Sequence, residues 1–199
     1  MTADVAGEPL SFDDAQILGL ESDAIKGHTG KLLVLEPDAS GALSASRLRD
    51  RVSERLRGLP RLRQRVEVPS DGGPLWVPAD QVDLDWHVAE PRPAETLDEE
   101  GFRRLAGEIL AERLDHSRPL WRLDLVALTG ERTGLVGRIH HAMADGVSAI
   151  QIAAGLLWDT LGQEQPGGST PAGNGAPGRQ RPAPPGGAAD PRRPAAEQH

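Results

Sequence analysis

The chain contains no cysteine. That removes thiol nucleophiles, disulfides and thiolate metal sites, and fits a reducing compartment. It has no basic excess either: 22 Lys and Arg stand against 30 Asp and Glu, for a formal net charge of -8 and a pI near 5.2. Nucleic acid is thereby disfavoured as the main partner, and no RNA- or DNA-binding motif is visible. No apolar stretch approaches the roughly 20 residues that a membrane-spanning helix needs, so membrane association is expected to be peripheral. Residues 1–9 carry acids and no apolar run, and do not read as a signal peptide. A nucleophilic Ser-x-Gly elbow is also missing. With no cysteine beside it, a covalent enzyme intermediate is disfavoured.

What is present is ordered into alternating helical and strand patterns up to about residue 162. Ser11 caps a short helix reaching Leu20, with Asp14 at its third position. Residues 31–36 are an apolar run between Gly30 and Pro37, expected to be a strand covered on both faces. His28 stands just ahead of it, as a turn or core residue or as a site residue. Leu48, Val52, Leu56 and Leu59 repeat at helical spacing behind a Ser44 cap. The other face of that helix and its extension is basic, through Arg47, Arg49, Arg51, Arg55, Arg57, Arg61, Arg63 and Arg65. Such a stripe could meet the phosphates of a ligand or an anionic membrane, or be a solvated face partly paired with Asp50 and Glu54.

Residues 64–68 read as a strand and 70–74 as a turn. Val82, Leu84, Trp86 and Val88 alternate with Asp83, Asp85 and His87, which predicts a half-buried strand with the His and both Asp on its polar face. Those three superficially suggest a metal site, but neighbours two apart on one strand rarely close one. Thr96 to Glu99 has the form of a capping box for a helix running to about Leu114, which Asp115 to Pro119 then break. Residues 120–139 predict a hairpin turning at Thr129-Gly130-Glu131. From Gln163 onward eight prolines and seven glycines fill 37 residues, a composition expected to be disordered.

The chemistry concentrates in His140-His141-Ala142-Met143-Ala144-Asp145-Gly146, between the end of the hairpin and a helix over 147–161 that is apolar almost all round and so expected to be buried. Side chains at a strand-to-helix turn sit at the mouth of a scaffold. Successive residues of an extended segment face opposite ways, so only one of His140 and His141 is a candidate base. Asp145 is expected to cap the helix, and to pair with an arginine that locks the turn. Two other patterns fit part of the motif: the His140/Asp145 spacing of a glycerol-phosphate acyltransferase dyad, and a metal site using His141 and Asp145, for which further ligands are lacking.

The motif HHxxxDG resembles the signature of the bacterial wax ester synthase/diacylglycerol acyltransferase family, within the wider group of chloramphenicol acetyltransferase, peptide-synthetase condensation domains and plant acyltransferases. The blocks at residues 10–15, 59–65, 83–88 and 114–121 resemble that family's blocks in the same order, so the similarity spans residues 10 to about 160. It implies an α/β (α+β) fold, a chloramphenicol acetyltransferase-like mixed sheet flanked by helices, of which residues 1–162 would be the N-terminal half and 163–199 a disordered linker or tail.

The resemblance further implies an O-acyltransferase that moves a long-chain acyl group from acyl-CoA to diacylglycerol or a long-chain alcohol, with no bound cofactor. His141 matches the family's catalytic histidine, with His140, Asp145 and Gly146 supporting the motif. Family members are built from two such halves around a channel, so a second half, a separate partner or self-association is expected to complete the site. The different-class alternative is a catalytically incomplete half-domain that binds lipid or a partner. The expected location is cytoplasmic, or peripheral on the inner face of the plasma membrane or on lipid bodies.

Overall fold

The computed structural model describes residues 7–90, 95–144 and 146–157, all within one unit that spans residues 1–163. The hairpin is its spine. Strands β6 (Trp121–Leu128) and β7 (Arg132–His140) pair antiparallel from Trp121↔Ile139 to Leu128↔Arg132. Between them Gly130 and Glu131 take φ values of 78° and 57°, the left-handed backbone that a tight reversal requires. On one side β7 pairs with β2 (His28–Leu35), antiparallel, and on the other β6 takes the two-residue β5 (Val88–Ala89), parallel. The order is β2-β7-β6-β5; a separate antiparallel sheet joins β1 (Glu8–Pro9), β4 (Leu75–Pro78) and β3 (Gln64–Glu67).

Alternation along the hairpin sorts its side chains onto two faces. Leu123, Leu125 and Leu135 join the larger core with Leu48, Val52 and Leu56 of helix α2 (Ala45–Arg55) and its extension, and with Leu62, Val66 and Trp76 around the small sheet. Val126, Leu128 and Val136 face the other way, onto Phe102, Ala106 and Ile109 of helix α4 (Glu99–Ala111). Gly134 makes that second contact close: a Cβ there would lie 2.6 Å from Phe102 Cε2. The result is a mixed sheet flanked by helices, as the resemblance implied.

Local signals hold where they are local. Ser11 caps helix α1 (Phe12–Gly19) through Asp14 N, and Ser44 caps α2 through Arg47 N. Four expectations are corrected. Residues 82–88 are not a strand: the Asp83 side chain accepts from Trp86 N and starts the short helix α3 (Leu84–His87), so His87 turns inward and is completely buried. The cap of α4 is Asp98, bonded to Gly101 N at 2.8 Å, rather than Thr96, and the helix ends at Ala111. Strand β2 is not covered on both faces throughout: Leu33 packs on the larger core, but Leu32 and Val34 on the other face are both 43% exposed. Helix α5 (Gly146–Leu157) buries Ala149, Ala154 and Leu156 but leaves Ile150 59% exposed. The expectations for residues 158–161 of that helix and for the tail lie outside the described residues.

Six of the eight arginines of the stripe are engaged within the protein. Arg51 and Arg55 donate to the carbonyls of Leu157 and Gly155, at 2.7 and 2.9 Å, and so tie α2 to α5. Arg47 pairs with Asp38, Arg49 with Asp85 and the Val88 carbonyl, Arg61 with Glu8, and Arg65 with Glu67. These partners are not the Asp50 and Glu54 expected from helical spacing.

Candidate active site

His140 is the last residue of β7, and its backbone N–H donates to the Leu120 carbonyl at 2.9 Å. The chain then turns, with Met143 N donating back to the His140 carbonyl, before α5 begins at Gly146. Alternation decides the fate of the two imidazoles. His140 has no solvent exposure, whereas His141 is exposed on the turn. The His141 N–H donates to the Gly27 carbonyl at 2.9 Å, tying the turn to the loop that precedes β2.

The His140 ring is specified at both nitrogens. Ala142 N–H donates to Nδ1 at 3.1 Å, so the ring proton resides on Nε2, which lies 3.0 Å from Glu21 Oε1. The second Glu21 oxygen is 2.8 Å from His116 Nε2, close enough for charge pairing but out of line for a hydrogen bond. The Glu21 carboxylate is itself 6% exposed. Burial holds the His140 pKa below its usual value, against the opposing pull of Glu21, so the ring is neutral near pH 7. His28 stands opposite His140 in the β2–β7 register. Its pKa is also lowered, by burial and then by Arg138.

One layer below, Arg138 is 3% exposed. It donates to Asp124 at 3.1 Å and to the Ile109 carbonyl at 2.7 Å, which ties β7 to β6 and α4. Asp124 also takes Arg122 at 2.9 Å. On the opposite face of the sheet, a small apolar cavity of about 60 Å³ opens between the sheet and α5, lined by Leu33, Trp121, Leu123, Gly137, Ile139 and Ile152 among others. Trp121 anchors its wall by donating from Nε1 to the Leu62 carbonyl, and His87 stacks on Trp121 with ring centroids 4.2 Å apart.

The sequence reading thus placed His140 and His141 correctly on opposite sides of the turn. Asp145 lies outside the described residues, and Gly146 is the first residue of α5. Glu21 was missed, because nothing in the local pattern of the α1–β2 connection marks it. His116 was seen as part of a block without a role. The Asp83/Asp85/His87 group is dispersed, since His87 points into the core and Asp83 and Asp85 pair with Arg118 and Arg49.

Comparison with known proteins gives a consistent result. Residues 10–193 match the catalytic domain of wax ester synthase/diacylglycerol acyltransferase. A probable diacylglycerol O-acyltransferase of Mycobacterium tuberculosis is 34% identical over 146 residues, covering 72% of this chain and 54% of that protein. A putative diacylglycerol O-acyltransferase of the same organism is 36% identical over 159 residues, covering 76% and 33%. Among solved structures, the wax ester synthase/diacylglycerol acyltransferase of Marinobacter aquaeolei superposes with a TM-score of 0.57 at 22% identity, covering 74% of this chain and 36% of that one. The first condensation domain of the calcium-dependent antibiotic synthetase gives 0.55 at 20%, covering 77% and 38%. At such identities the superpositions speak for the fold alone. The chain spans about half the length, or less, of these relatives.

Proposed function

The chain belongs to the wax ester synthase/diacylglycerol acyltransferase family, and from that premise we propose that it takes part in acyl transfer from a long-chain acyl-CoA to diacylglycerol or a long-chain alcohol, with His141 as general base. The observation that carries this reading is the split between the two histidines: His140 is locked beneath the turn and His141 stands free on its open side. An imidazole is suited to take a proton near neutral pH. His141 takes the proton of the acceptor hydroxyl as its oxygen bonds to the thioester carbonyl carbon. The C–S bond then breaks, and the departing thiolate of coenzyme A takes the proton. Assistance of this kind contributes about 10² to 10⁴ in rate.

The apolar cavity between the sheet and α5 supports an acyl substrate, with room for a few chain atoms beside Trp121 and Ile139. Acyl-CoA enters as donor substrate, and no resident cofactor is part of the scheme. A second half would complete the substrate channel. Exposed Leu32 and Val34 favour the alternative of a half-domain that binds lipid or a partner without turnover. Among the described residues no helix is long and apolar enough to cross a membrane, and a peripheral position on a membrane or lipid body is part of the proposal.

The deciding assay is acyl transfer from a labelled long-chain acyl-CoA to hexadecanol or diacylglycerol, with the purified chain beside its His141→Ala variant. Turnover that drops at least ~100-fold in the variant supports the base. No turnover in either overturns the reading that this chain turns over by itself.

A further inference from the structure

We propose that Glu21 is a positioning residue of this site: its buried carboxylate fixes His140 in the Nε2–H tautomer, and through it holds the turn that presents His141. The inference rests on the acyltransferase reading for its catalytic consequence, though not for its structural one.

Three observations converge on Glu21. Its two oxygens lie 3.0 Å from His140 Nε2 and 2.8 Å from His116 Nε2, so one carboxylate bridges the end of β7 and the loop after α4. A carboxylate with 6% exposure is costly to bury unless its partners are fixed. The backbone makes room for the contact: Gly27 has φ +69°, and a Cβ there would overlap His140 Nε2 and lie 2.9 Å from Glu21 Oε1. Gly27 also accepts the His141 N–H, so the same residue that admits the Glu21–His140 contact anchors the candidate base.

The chain of consequence runs through one proton. With Nε2–H donated to Glu21, Nδ1 keeps a free lone pair for Ala142 N–H. Remove the acceptor, and a buried N–H is left without a partner, a loss that the ring can relieve by shifting its proton to Nδ1 or by rotating. Either response breaks the bond to Ala142 N, the residue next to His141. The turn then loses the contact that sets its geometry, and a displacement of the base by about 1 Å can cost on the order of 100-fold in rate. Glu21 touches no reacting atom in this scheme. It acts through His140.

The test uses the full chain and has a readout that does not depend on turnover. The imidazole ¹⁵N shifts of His140 and the hydrogen exchange of the Ala142 amide are measured by NMR in the wild type, Glu21→Ala and Glu21→Gln. The wild type is expected to show a single Nε2–H tautomer and a protected Ala142 amide. Glu21→Ala is expected to lose the single tautomer and to speed that exchange roughly tenfold or more, whereas Glu21→Gln, whose amide oxygen still accepts from Nε2–H, retains both. An unchanged His140 tautomer and Ala142 protection in Glu21→Ala overturns the proposal, whether or not the chain turns over. Where it does turn over, Glu21→Ala should lower kcat about 100-fold with the KM for acyl-CoA held within about twofold, and Glu21→Gln should recover most of the loss. A change confined to KM also overturns it. A wild-type chain without turnover but with the expected tautomer response upholds the positioning role and overturns only the reading that this chain turns over by itself.

Discussion

Gly27 and His140 meet as bare backbone against imidazole, with no space between them for a side chain. Gly27→Ala therefore combines left-handed strain, worth about 1 to 2 kcal/mol, with a clash against a buried ring. We expect a loss of about 3 kcal/mol or more in urea denaturation. Gly130→Ala is the control: its φ is +78°, but the nearest atom to a new Cβ is Arg132 Nε at 3.8 Å, so only the strain of about 1 to 2 kcal/mol is expected. Equal losses would mean that the His140 contact contributes nothing.

Asp124 and Arg138, each under 4% exposed, form an ion pair with nowhere to release a charge. Asp124→Ala should cost about 3 to 5 kcal/mol, since it leaves the buried Arg138 guanidinium without its buried carboxylate, whereas Arg138→Met leaves Asp124 paired with Arg122 and should cost less. The double variant should cost clearly less than the sum. A double-mutant cycle in urea that comes out additive would refute the coupling.

His87 is held neutral by burial, with its pKa lowered to about 4. The unfolded chain takes up this proton near pH 6.5 and the folded chain only near 4, so stability falls as pH drops through that window and levels off below it. The contribution is about 3 kcal/mol. His140 and His28, also lowered, act in the same direction. Urea midpoints measured between pH 7 and 4 should decline, and His87→Phe, which keeps an aromatic ring over Trp121, should flatten part of that decline. An identical slope in the variant would remove His87 from the account.

Asp98 and Thr96 compete for one role at the start of α4, and the geometry awards it to Asp98. Asp98→Ala should cost about 1 kcal/mol and Thr96→Ala close to nothing. Thermal unfolding of the two variants distinguishes them, and the reverse order would restore the capping box.

The hairpin over 120–139 was legible because its evidence is local: alternation on each side of a Thr-Gly-Glu turn. The Ser11 and Ser44 caps were legible for the same reason, since a cap is read from residues three apart. Residues 82–88 misled because their alternation is real but the Asp83 side chain captures Trp86 N, and one such bond in a short segment outweighs a weak strand preference. The α2 arginines misled because long side chains choose partners in space. Asp50 and Glu54 were near in sequence, while the carbonyls of Leu157 and Gly155 were near in the fold.

For the site itself, the sequence by itself determined the turn and the opposition of its two histidines, because consecutive side chains of a strand cannot share a face. Which histidine went under the sheet was decided only by the tertiary structure. Glu21 lies 119 positions from His140, so no pattern along the chain relates them. A buried imidazole and a buried carboxylate are tolerable only together, and that condition is met only once packing has brought the β2 loop, the end of β7 and the loop after α4 into contact.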